Sequence, residues 1–394
     1  MTATSPRLAI VLSGGGARAA YQLGLLRYLR RNMPDARFDI VTGTSAGAIN
    51  AVFLASHRGP FTAAVEDLQE IWRDLHFENV FRVEGTVLGA NLAKWSFRLL
   101  SGGSFFAPDV RGLLDTQPLR ELLESCLTTV DGEIVGISRN VENGSLDAFA
   151  LTTLNYATGQ TVTWVQGSDI ETWERPHRLS RRTRFSVEHV MASAALPMLF
   201  PAVRLGDSWY GDGGVRLAAP LAPAIHLGAD RVLAIATRYH RSREEANRPL
   251  TRGYPPPAQV LGSVLNAIFL DVIDQDALFL ERVNRLLEHV PPAERGILRP
   301  IELMVLRPSK DLGRIAAEYE RDLPRAFRFL TRGLGTRETL SPDFLSLLMF
   351  HPEYLARLVT IGEEDAEARG EELARFLGSP GAAAAGESPV TSHR

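Results

Sequence analysis

The chain has 394 residues, a formal net charge of −3, and a composition that is 45% hydrophobic and 23% charged. These values describe a globular protein of one large or two smaller domains, and the near-balanced charge carries no electrostatic footprint for nucleic acid. The single cysteine, Cys126, excludes an intrachain disulfide framework and reads as buried apolar filler.

In chain order, the N-terminal MTATSPRLAIVLSGGG has a short apolar run flowing into glycines, unlike a secretory signal. No window reaches the roughly 18 uncharged apolar residues of a membrane span. The reading is a cytoplasmic protein, compatible with peripheral contact at the inner membrane face. Leu8–Leu12 predicts a buried strand, and ARAAYQLGLLRYLRR has helical spacing with Ala20, Leu23 and Tyr28 near one face. Phe38–Val41 predicts a second strand and AGAINAVFLAS a second helix. This alternation predicts an α/β fold, a mostly parallel sheet flanked by helices.

Phe61–Phe106 reads as helical and carries Trp72, Trp95, Phe97, Phe105 and Phe106. Asp115–Leu127 predicts a helix with Pro118 in its first turn. Ala148–Asn155 and Gln160–Gln166 read as strands joined by a turn at Ala157–Gly159, and Trp209–Tyr210 and Arg231–Thr237 as further short strands. Val260–Val290 has apolar residues at helical spacing. It also carries Asp271, Asp274, Asp276, Glu281 and Arg282, which exclude a membrane span.

Three glycine-rich stretches carry chemistry. In Gly43-Thr44-Ser45-Ala46-Gly47, a serine lies between an apolar strand and a helix. A sharp turn there lifts its hydroxyl to a helix N-terminus, and flanking glycines relieve the crowding. A plain tight turn has the same sequence. In Gly14-Gly15-Gly16-Ala17-Arg18, backbone amides can approach a ligand and hold an oxyanion. Gly14-x-Gly16-x-x-Ala19 also fits a dinucleotide fingerprint, with Asp35 or Asp39 about twenty residues on. In Gly211-Asp212-Gly213-Gly214, a carboxylate between glycines can approach an active serine as base, although Asp-Gly is equally a turn signal.

GGGAR, GTSAG and DGG, in that order, resemble the patatin-like phospholipases of bacterial type, as do GLLDTQPLREL at 112–122, MASAALPMLFPAV at 191–203 and APLAPAIHLGAD at 219–230. The resemblance covers residues 7–240 and implies a three-layer α/β sandwich and a serine–aspartate dyad without a catalytic histidine. By motif match it makes Ser45 the nucleophile and Asp212 the base. It places the oxyanion region at Gly14, Gly15 and Gly16 with Arg18 alongside and Ala46 at the start of the next helix; Gly43, Gly47, Gly213 and Gly214 complete the motifs. The family's glycine motif often ends Arg-Gly, whereas Ala19 follows Arg18 here. A dinucleotide site leaves GTSAG and DGG as coincidences. An α/β-hydrolase needs a histidine after its acid, and His226, His240, His289 and His351 sit in no recognisable loop motif.

The implied activity is hydrolysis of lipid acyl esters, of phospholipase A or lysophospholipase type, with no metal and no cofactor. A catalytically weak lipid- or partner-binding protein on the same fold is the alternative. Small residues at Ala192–Ala195 suit a wall beside the serine. Leu88–Phe106, with Lys94 and Arg98 among its aromatic and aliphatic residues, suits a cap over an acyl pocket or an interfacial anchor. The basic run Arg175–Arg184 reads as a solvated face that can attract anionic headgroups. The expected organisation is a catalytic domain at 7–240, a polar, proline-containing loop at 241–258, a helical insertion and C-terminal part at 259–377, and a disordered tail at 378–394. Within it, 260–290 reads as an extra helix, a lid or a homo-oligomer surface.

Overall fold

LAIVL at Leu8–Leu12 has no alternation of apolar and polar residues, and all five residues are buried. A strand buried on both faces belongs in a parallel sheet covered by helices. The computed structural model of the protein describes residues 6–82, 85–101, 112–247, 253–257, 259–260, 262–264, 272–333, 335–336 and 342–378. Among these residues Leu8–Leu12 (β1) lies inside a ten-stranded sheet. The other strands are β2 (Ile40–Thr44), β3 (Ala148–Asn155), β4 (Thr161–Gly167), β5 (Glu174–Arg175), β6 (Arg178–Arg182), β7 (Val203–Leu205), β8 (Ser208–Asp212), β9 (Arg231–Ile235) and β10 (Glu302–Leu306). Their order is β10-β9-β1-β2-β3-β4-β6-β5, with β8 beside β3 and β7 beside β8. From β10 to β3 every pairing is parallel; β4 then runs antiparallel to β3, and β6 parallel to β4.

The helices used below are α1 (Ala20–Asn32), α2 (Ala46–Ser56), α3 (Phe61–Arg73), α4 (Gly85–Leu100), α5 (Gln117–Cys126), α6 (Val187–Ser193), α7 (Val272–Glu288), α8 (Asp343–Leu348) and α9 (Pro352–Ala368). Period-two alternation in β1 splits its side chains between two cores. Ile10 and Leu12 join residues of α1, α2, α3 and α9 on one face, while Ala9 and Val11 join Leu221, Ala224 and Leu280 of α7 on the other. The result is the three-layer α/β architecture the sequence predicts.

The structure departs from the sequence reading in several places. The second strand starts at Ile40 and runs through Gly43 to Thr44, so the first two residues of the GTSAG motif are strand. The basic run is not simply a solvated face, because Arg178–Arg182 is a strand near the sheet edge, where charged side chains discourage pairing with other chains. The region from 259 onward is not only helical, since Glu302–Leu306 closes the opposite edge of the same sheet. No helix among the described residues is long and apolar enough to cross a membrane. On α4, Phe97 and Leu100 are exposed. The side chains of Trp95 and Leu99, residues Phe105 and Phe106, part of 260–290, and the tail from 379 onward lie outside the described residues.

Candidate active site

Two strands meet head-on beside β3. β2 runs parallel to β3 and ends with Thr44 opposite Thr152. β8 runs antiparallel to β3 and ends with Asp212 opposite Thr153. Strand register alone therefore brings Ser45, the residue after Thr44, next to Asp212.

Ser45 turns the chain into α2 with φ 56° and ψ −133°, a backbone conformation that non-glycine residues rarely hold and that the surrounding packing must fix. Ser193, the last residue of α6, supplies part of that restraint. Its hydroxyl accepts from the Ser45 amide at 3.1 Å and donates to the Thr152 carbonyl at 2.8 Å. The flanking glycines relieve crowding, as their spacing implies: a Cβ at Gly43 would lie 2.6 Å from Ala51 Cβ. The positive φ falls on Ser45 itself, while Gly47 lets α2 press onto β1: a Cβ there would lie 2.3 Å from the Leu12 carbonyl oxygen.

Asp212 is fully buried. Its Oδ1 accepts from the Gly214 amide at 2.8 Å, and its Oδ2 has no hydrogen-bond partner among the described residues. Burial pushes the carboxyl up to about 7, opposed by the nearby Ser45 hydroxyl and by the Gly214 amide, which favour the charged form. The serine is thus close enough to favour the charged form of the acid.

Gly14, Gly15 and Gly16 form a buried loop between β1 and the single 3₁₀ turn Gly16–Ala19. Gly14 lies directly against the serine, where a Cβ would come within 2.8 Å of Ser45 Cβ. The amides of Gly14, Gly15 and Gly16 donate no hydrogen bond to any described residue, an unusual condition for buried N–H groups. Arg18 is 2% exposed, with its Nε donating to Ser346 Oγ at 2.7 Å and its Nη2 pairing with Asp343 Oδ1 at 2.5 Å. Its guanidinium therefore fastens α8 against the glycine loop.

Ser45, Gly16 and Ala46 open onto a cavity whose remaining wall is apolar and includes Ile49, Trp72, Leu123, Ala194, Leu196, Leu347 and Phe350. Cys126 also lines it; it is half-buried and packs against the core rather than lying fully inside it. The wall reading of Ala192–Ala195 holds through Ala194, and the Ser193 hydroxyl adds a role that its spacing did not signal. No described residue of α4 lines the cavity, and neither do His226, His240, His289 or His351. His226 instead stacks on Trp173.

A family model described as "Patatin-like phospholipase" matches residues 10–225, more than half of the chain. The chain belongs to the patatin-like phospholipase family. The family segment contains Gly14–Gly16, Ser45 and Asp212, whereas Asp343, Ser346, Leu347 and Phe350 come from beyond it. Mouse calcium-independent phospholipase A2-gamma is 24% identical over 221 residues, 55% of this chain and 25% of that protein. The chain thus spans about a quarter of the length of that relative. Among solved structures, human GIVD cytosolic phospholipase A2 matches with a TM-score of 0.46 and 13% identity, covering 94% of this chain and 60% of that one. VipD from Legionella pneumophila matches with a TM-score of 0.35 and 14% identity, covering 95% and 67%.

Proposed function

We propose that the protein is a serine lipid acyl hydrolase of phospholipase A or lysophospholipase type, working through Ser45 and Asp212. The carrying observation is the pairing of a strained, buried serine with a fully buried carboxylate whose second oxygen is unpartnered and whose pKa rises to about 7. A base poised near neutral pH takes a hydroxyl proton far more readily than an ordinary aspartate.

Asp212 accepts the Ser45 proton as Oγ attacks the acyl carbonyl carbon. The carbonyl oxygen becomes an oxyanion and takes hydrogen bonds from amides of the Gly14–Gly16 loop, each donor contributing about 3 kcal/mol to the transition state. Collapse of the intermediate breaks the acyl C–O bond, and the leaving alcohol receives its proton from Asp212. Water, deprotonated by Asp212, then cleaves the acyl-enzyme and returns Ser45. The apolar cavity beside Ser45 accommodates the acyl chain. Ser45 is 2% exposed, so substrate entry requires part of the cavity wall to move.

A fluorophosphonate probe tests the nucleophile: labelling of the wild type that disappears in Ser45→Ala is the expected result. Absent labelling of folded wild-type protein favours a lipid-binding role. Hydrolysis of a short acyl ester should disappear in Asp212→Asn, and retained turnover removes Asp212 from the mechanism.

A further inference from the structure

In a trans peptide the C=O of one residue and the N–H of the next point in opposite directions across a rigid plane. Whatever grips the carbonyls of Ser13 and Gly14 therefore aims the amides of Gly14 and Gly15. Both carbonyls are gripped from behind. Thr237 Oγ1 donates to the Gly14 carbonyl at 2.5 Å, and Gln22 Nε2 donates to the Ser13 carbonyl at 2.7 Å.

The orientation of Gln22 is itself determined. An indole N–H can only donate, and Trp72 Nε1 donates to Asn50 Oδ1 at 2.8 Å. Asn50 must then present its Nδ2, which donates to Gln22 Oε1 at 2.9 Å and to the Ala19 carbonyl at 3.2 Å. Gln22 is left with its Nε2 toward Ser13. Gln22, Asn50 and Thr237 are buried essentially completely, so water does not compete for these bonds. Thr237 also fills the space beside Gly15, where a Cβ would lie 2.4 Å from its Oγ1.

We propose that Thr237, together with the Trp72–Asn50–Gln22 relay, consists of positioning residues that preset the Gly14 and Gly15 amides for the oxyanion before substrate arrives. The inference rests on the hydrolase reading above. Thr237 follows β9 and lies outside the segment matched by the family model, so the device joins the family's glycine motif to a residue beyond it.

The test uses the full-length protein, a short acyl ester and a fluorophosphonate probe whose P=O group needs the same donors. Thr237→Val keeps the shape and removes the donor. It should lower kcat and the second-order labelling rate about tenfold or more, with KM nearly unchanged, since donors to an oxyanion act in the transition state. Thr237→Ser restores the hydroxyl but loses the methyl group, so it should recover most of the kcat loss even where its melting temperature falls. Gln22→Glu, which replaces the donor by an acceptor, should reproduce the kcat effect. A Thr237→Val enzyme within twofold of wild type overturns the proposal, as does a loss of equal size in Thr237→Ser or a loss confined to KM. If Ser45-dependent turnover persists in those cases, the hydrolase reading stands and only the positioning role falls. A wild type with no Ser45-dependent turnover removes both.

Discussion

Asp212→Asn should stabilise the protein while ending its turnover, and the gain should grow with pH. The folded carboxyl titrates near 7 against an ordinary value of 3.8 because burial disfavours its charge. Between those pH values the native state holds a proton that the unfolded chain has released, so stability falls as pH rises through that window and stays lowered above it. The gap corresponds to about 4 kcal/mol withheld at pH 8. Asparagine is neutral throughout: its oxygen can keep the Gly214 amide, and its NH₂ can donate to Ser45. Urea denaturation of both proteins from pH 5 to pH 8 should show a difference of about 2 kcal/mol at the acid end, widening toward an upper bound of about 4 kcal/mol in favour of Asp212→Asn. A constant difference, or a less stable variant at pH 8, refutes the reasoning. Activity should move the other way, because the proposed mechanism needs Asp212 ionised. Wild-type kcat/KM should climb about tenfold per pH unit below 7 and level off above it.

Asp343→Ala should cost about 3–5 kcal/mol in denaturant titration, because it leaves the buried Arg18 guanidinium without its counter-charge; a loss under about 1 kcal/mol shows the pair to be dispensable. Gly47→Ala forces a methyl group against the Leu12 carbonyl oxygen. It should destabilise the protein by about 1–3 kcal/mol and slow fluorophosphonate labelling, so unchanged labelling would show that the Ser45 turn tolerates a displaced α2. Leu123→Trp narrows the cavity. It should depress kcat/KM for a long-chain ester more than for a butyrate ester, and equal effects on both would place the acyl chain elsewhere.

Much of the central sheet was legible because its signals are local. LAIVL is apolar throughout, SGGG interrupts it, and helical spacing resumes at once. Asp212 and Ser45 were legible as motifs, but their meeting depends on the Thr44–Thr152 and Asp212–Thr153 registers, which neither stretch encodes alone. Arg178–Arg182 escaped as a strand because an edge position tolerates charge that a central one does not. Ser193 and Thr237 were hidden for another reason. A lone hydroxyl gripping one carbonyl leaves no periodicity, and its partner is distant in the chain. The anchoring of Arg18 was not legible because its counter-ion arrives from Asp343, far along the chain.

The head-on meeting of β2 and β8 ties the birth of reactivity to completion of the sheet. Serine and acid arrive on separate ribbons, and neither has the other until both have docked on β3. On the proposed mechanism a half-folded chain therefore has no assembled Ser45–Asp212 pair, and a nascent one should not react with an acyl ester while its apolar surface is still exposed. Refolding followed by pulsed fluorophosphonate labelling should show reactivity emerging with the last native structure to form; an early labelled intermediate would break that link.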